Sequence, residues 1–134
     1  MLGISDRTLA GWVEGGRLER VHAGVYRLAG VPPSWEQDVM AAVLAADGVA
    51  SHRTAARLWD MYDTDAVEVT VPRSRRCLAA DVVAHRSGDI VPRHVTRRLG
   101  IPVTNPMRTL VDLGAVDKWA VADALERAVI ARVC

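Results

Sequence analysis

Three observations predict an α+β fold for this 134-residue sequence. Apolar residues recur at i, i+3 and i+4 in several stretches of about ten residues, the helical period. Between those stretches lie short alternating runs rich in valine, bounded by glycine and proline, which is the strand pattern. The cluster Ala29-Gly30-Val31-Pro32-Pro33 breaks both patterns and divides the chain into residues 1–30 and 31–134. Hydrophobic residues make up 50% and charged residues 25%, so the chain has the composition of a folded protein and not of a disordered one.

In the first unit, Ser5 is placed to cap a helix and Asp6 complements its positive start. Leu9, Trp12 and Val13 share one face, and Gly15-Gly16 stops the helix. Leu18 to His22 and Val25 to Leu28 alternate as strands about the permissive turn Ala23-Gly24. A short capped helix followed at once by a two-stranded ribbon forms the second half of a winged helix-turn-helix, recognition helix and wing. The spacing assigns Leu9, Trp12 and Val13 to the core. The opposite face offers Arg7, Thr8 and Glu14, and the ribbon adds Arg17, Arg20, His22 and Arg27. Such domains touch bases with the first residues of the recognition helix and phosphates with neighbouring basic groups. Arg7 and Thr8 are therefore candidates for groove contact, and Arg17, Arg20 and Arg27 for phosphate contact. The four arginines stand against Asp6, Glu14 and Glu19, a net charge of only +1, which also suits a merely solvated surface.

Four ordered blocks carry a resemblance: GRLERVHAGVYRL at 16–28, SHRTAARLW at 51–59, VEVTVPRSRR at 67–76 and GIPVTNPMRTLVDL at 100–113. Together they resemble the AbiEi-like antitoxin family. The resemblance implies a winged-helix DNA-binding domain joined to a small α+β domain, with autorepressor and antitoxin activity directed at a nucleotidyltransferase-type toxin. It also implies that the pattern is cut short at both ends, since relatives carry helices before the position of Leu2 and some add a Vsr-type nuclease domain after that of Cys134. The apolar face of the first helix then needs other cover, from residues 34–60, from a second copy of the chain in a homodimer, or from sequence upstream of Met1.

In the second unit, Ser34 with Gln37 suggests a capping box, followed by an apolar face of Val39, Met40, Val43 and Leu44 that ends near Asp47-Gly48. A further helix is expected from Ser51 to Met61, with Ser51 as cap and His52 and Arg53 projecting outward. Ala66 to Val71 alternates as a half-buried strand. Arg73-Ser74-Arg75-Arg76 then sits in the loop of a hairpin returning over Val82 to His85. Ile101-Pro102-Val103 suits an edge strand because proline lacks a donor. Asn105-Pro106 starts a helix with Met107, Leu110, Val111 and either Leu113 or Val116 inward and Arg108 and Asp112 as an exposed pair. Asp117 caps a last helix with a broad apolar stripe that includes Leu125 and Val129, suited to packing on a partner.

Charge is unevenly spread behind the total of +1. Residues 31–72 carry a net −5, and residues 73–98, with seven arginines against Asp81 and Asp89, a net +5. Arg73, Arg75 and Arg76 are candidates to extend the phosphate contact, to solvate a loop or to meet an acidic partner.

No catalytic residue is assigned. Ser51 and His52 are adjacent at a helix start and lack the third group that a triad needs. Glu68-Val69-Thr70 lacks the lysine that a metal-dependent nuclease would carry there. His22, His52, His85 and His94 are scattered without ligand spacing, and no glycine-rich loop suits a nucleotide, so neither a metal nor a cofactor is expected. Cys77 and Cys134 are isolated thiols. No apolar run reaches a membrane span and no signal peptide is evident, which predicts a cytoplasmic protein. The expectation is a DNA-binding regulator or antitoxin acting on double-stranded DNA. The alternatives are a toxin-neutralising module that has lost DNA binding, a truncated remnant, or a fragment of a Vsr-type nuclease-containing protein.

Overall fold

A computed structural model of the protein describes residues 6–22, 24–30, 32–74 and 81–133. Ser5, Ala23, Arg75, Arg76, Cys77 and Cys134 lie outside the described residues, as do the side chains of Asp6 and Leu9. The fold is α+β, with a two-stranded ribbon and a five-stranded mixed sheet.

Helix α1 (Asp6–Glu14) leads into strands β1 (Leu18–His22) and β2 (Val25–Leu28). Gly15 and Arg17 donate backbone bonds back to Gly11 and Trp12, both at 2.9 Å, which seats the start of the ribbon against the end of the helix. The ribbon is antiparallel, with Leu18 opposite Leu28 and His22 opposite Val25, and an irregularity between Arg20 and His22. Val25 is buried and the ribbon rests on helix α2 (Trp35–Ala46). By contrast, none of the described side chains of α1 is buried; Trp12 and Val13 are half-covered.

The Ser34 hydroxyl caps α2 by accepting from the Gln37 backbone N–H at 3.2 Å. The expected reciprocal half of the box is missing, because the Gln37 Oε1 atom is buried without a partner among the described residues. Val39, Ala42, Val43 and Ala46 enter the core, whereas Leu44, expected inward, is exposed. Asp47 ends the helix in the left-handed region (φ 50°). Gly48 then passes so close to the backbone at Thr70 that an added Cβ would lie 2.5 Å from the Thr70 carbonyl oxygen; only glycine fits.

Strand β3 (Val49–Ala50), helix α3 (His52–Leu58), strands β4 (Glu68–Pro72), β5 (Val83–Ser87), β6 (Val95–Arg98) and β7 (Ile101–Thr104), and helices α4 (Pro106–Val116) and α5 (Val121–Ile130) complete the chain. The sheet order is β5-β4-β3-β7-β6. Val69 and Val71 of β4 join Ile101 and Val103 of β7 in one core with α2. Ala56, Met61, Leu110, Leu113, Ala124 and Ala128 make a second core among α3, α4 and α5.

Several expectations are overturned. The pair β4–β5 is parallel, so these two strands are not the arms of a hairpin. β7 is internal, lying between β3 and β6. Its proline is tolerated because β3 is only two residues long and its pairing with β7 is at Ala50 and Val103, not at Pro102. In α4, Met107 and Val111 are exposed, while Thr109, Leu110, Asp112 and Leu113 are buried. The Arg108–Asp112 pair is thus an inward one, with side chains 13% and 7% exposed. A 3-10 turn (Lys118–Ala120) precedes α5, and only Ala124 and Ala128 of its described stripe are fully buried. No helix is long and apolar enough to cross a membrane among the described residues.

Candidate nucleic-acid interface and a buried polar centre

Arg7 and Thr8 occupy the first turn of α1 and are exposed, as are Arg17 between helix and ribbon and Arg20 on β1. Arg7, Arg17 and Arg20 have no ion-pair partner among the described residues. A short helix and the first strand of a ribbon therefore carry three guanidinium groups free to meet an anion. Arg27 differs. Its Nε donates to Glu19 Oε2 at 3.0 Å and its Nη1 lies 3.8 Å from Asp38 Oδ1, so its charge ties the two strands together and to α2.

Arg73 follows β4, outside the helix-and-ribbon unit. Val21 and His22, at the tip of the ribbon, share a cleft with Asp38 of α2 and with Asp65, Asp81 and Val82, just before β4 and β5. Arg73 follows the opposite end of β4, roughly 20 Å further along at the usual strand rise. Three carboxylates beside the ribbon tip also oppose an anion there. The exposed arginines without an ion-pair partner in the helix-and-ribbon unit lie on α1, between helix and ribbon, and on β1.

The structure assembles a second group of polar side chains that the sequence reading sent outward. Glu68 alternates with Val69 and Val71 along β4, and its side chain is fully buried. Its Oε1 accepts from Arg53 Nη1 at 3.0 Å, and its Oε2 lies 2.6 Å from His85 Nε2 on the neighbouring strand. Arg53 also donates to the Val116 carbonyl at 3.1 Å, which anchors it to the end of α4. The His85 ring stacks on that of His52, with centroids 3.7 Å apart and planes 15° apart. His52 is buried, not projecting, and its backbone is held at φ 54°. Its Nδ1 lies 2.8 Å from the Ser51 hydroxyl oxygen, which in turn accepts from Thr70 Oγ1 at 2.7 Å. Ser51 therefore occupies the cap position of α3 without its side chain capping the helix.

Burial, then the adjacent His85, holds the His52 imidazole below its ordinary range, so it is neutral at pH 7. The bond to Glu68 reinforces the charge on Arg53. Asp112 of α4 acts electrostatically on His52; its Oδ1 accepts from Arg108 Nε at 2.9 Å, while its Oδ2 is buried without a partner among the described residues. Arg108 reaches on to Asp89 at 3.1 Å, and Asp89 is bonded to the Ser87 hydroxyl. Of these residues the sequence reading singled out Ser51, His52, Arg53 and Glu68 and set them aside. The signal that unites them is the matched spacing of polar residues on two strands, Glu68 and Thr70 on β4 with His85 and Ser87 on β5, which has meaning only once those strands are known to be parallel neighbours.

A scan against protein-family models finds no match to this chain, and a search of the curated proteins finds none either. Fold and sites together define an α+β protein with a helix-and-ribbon unit at its N-terminal side and a buried histidine–carboxylate centre in its sheet domain.

Proposed function

We propose that the protein is a DNA-binding regulator of the antitoxin type that uses α1 and the beginning of the ribbon to grip duplex DNA in the cytoplasm. The observation that carries this reading is a helix running directly into an antiparallel ribbon with Arg7, Arg17 and Arg20 exposed and unpaired among the described residues. Arg7 and Thr8 would enter or border the major groove, and Arg17 and Arg20 would meet phosphates. Arg27 serves the ribbon's own structure. The antitoxin assignment, with a nucleotidyltransferase-type toxin as partner, rests on the four ordered sequence blocks.

The test is fluorescence anisotropy of the purified chain with its own upstream DNA and with scrambled DNA over a salt series. The reading expects preference for the upstream DNA and affinity that falls as salt rises. It also expects each of Arg17→Ala and Arg20→Ala to lower the logarithmic salt slope by about one. A folded sample that binds neither DNA refutes it.

A second reading, a partner-binding module, draws on the apolar groups left exposed on the last two helices and the turn between them: Met107, Val111, Trp119, Val129 and Ile130. Neutralisation of a cognate toxin without DNA affinity, lost in Trp119→Ala, would favour it over the first.

A further inference from the structure

We propose that His52, Glu68 and His85 form a binding site for a divalent transition-metal ion of the zinc class. Each offers one donor atom, and the three atoms lie within 4.8 Å of one another. Two imidazoles and one carboxylate are a recurrent donor set for zinc and its neighbours, whereas magnesium and calcium prefer oxygen alone.

The surroundings are arranged as those of metal ligands are. A ligating histidine needs its second nitrogen held by a hydrogen bond, which fixes ring orientation. Ser51 does this for His52 Nδ1 and is itself held by Thr70, leaving Nε2 as the donor. Arg53 holds Glu68 by Oε1 alone, leaving Oε2 on the His85 side. A dication next to Arg53 calls for more than one carboxylate. Asp112 is not among the three donors but adds a second negative charge near His52, and its Oδ2 is buried without a partner among the described residues. An unsatisfied buried carboxylate oxygen is costly unless a cation or water completes it.

The metal-free geometry also states what must move. Imidazole lone pairs lie in the ring plane, and planes stacked at 15° do not converge on one point. Zinc takes nitrogen and oxygen donors at about 2.0–2.2 Å, so one ring has to turn and its bond to Glu68 has to open. His85 is the ring to do so. Its side chain is 28% exposed, on an edge strand, and Glu68 is its one hydrogen-bond partner among the described residues. His52, buried and held by Ser51, stays in place. The inference is independent of DNA binding, since it uses none of the residues assigned to the nucleic-acid surface.

The experiment is calorimetric titration of the whole chain, stripped with a chelator, with zinc chloride, and in parallel with cobalt(II), whose visible absorption reports coordination. The expected result is one ion per chain, with affinity about tenfold or more weaker in His85→Ala and unchanged in His94→Ala. Circular dichroism accompanies each variant. If His85→Ala does not fold, proton NMR of the cobalt-loaded unsubstituted protein decides, because it must show shifted imidazole resonances from two histidines. No saturable binding by the unsubstituted chain, equal affinity in a folded His85→Ala, or fewer than two shifted imidazoles overturns the proposal. The cluster is then a hydrogen-bonded network only.

Discussion

Glu68 is fully enclosed, and what makes a carboxylate tolerable there is the pair of bonds from Arg53 and His85, one on each oxygen. Arg53 is 33% exposed, so water screens part of the pairing, but its removal leaves a buried charge with one partner fewer and frees the Val116 carbonyl. Arg53→Ala should therefore cost about 2–3 kcal/mol in urea unfolding, more than an exposed ion pair would. At the surface, the Ser87 hydroxyl, and after it Arg108, holds the Asp89 carboxyl below the usual carboxylate range. Because its folded-state pKa is depressed, the stabilisation is present above the ordinary aspartate value and is lost as pH falls through the lower folded one. Carboxyl-carbon NMR should find Asp89 titrating low in the unsubstituted protein and nearer normal in Ser87→Ala.

The β6–β7 hairpin turns on Leu99 and Gly100, both in the left-handed region at φ 52° and 76°. Glycine adopts this conformation freely, while leucine is strained there and also leaves its side chain 73% exposed. Leu99→Asn should raise stability by about 0.5–1 kcal/mol, visible as a higher urea midpoint with an unchanged slope. The opposite outcome is expected where α2 turns into β3. Gly48→Ala would press a methyl group onto the Thr70 carbonyl, and the strands would have to part; a loss of about 1–3 kcal/mol is expected by the same measurement. Reading element by element, the helices and the ribbon were legible because caps, glycine stops and apolar spacing act within a few residues. Strand partners were not. The order of residues 66–85 fits a hairpin as well as a crossover, and the parallel pairing of Glu68 with Val83 through Pro72 with Ser87 is a choice between two sheets.

At the scale of the whole molecule, burial is concentrated in the sheet domain, while α1 has no buried side chain among those described. Hydrogen exchange should therefore find the amides of α1 exchanging well before those of β4 and β7, whose side chains fill the main core. DNA bound along α1 should slow that exchange, and an unchanged pattern in saturating operator DNA would count against the proposed surface. The charge pattern follows the same division. Within 73–98, the acidic Asp89 meets Arg108 of α4, which also pairs with Asp112, and Arg98 lies 3.6 Å from Asp60. A net charge along the sequence does not become a surface patch unless the fold gathers its members.

Sequence alone determined the α+β class and the helix-and-ribbon unit, because each depends on neighbours a few residues away. Tertiary structure decided which polar residues are interior. Glu68 alternates with valines as a solvent-facing residue would, and His52 and His85 are 33 positions apart in the chain. Only the parallel pairing of β4 with β5, and the seating of α3 and α4 beside them, buries the carboxylate and lays one imidazole on the other. Periodicity reports which side of an element a residue occupies. What covers that side is fixed by contacts between distant segments, and at Glu68, His52 and Asp112 the covering groups are other polar side chains.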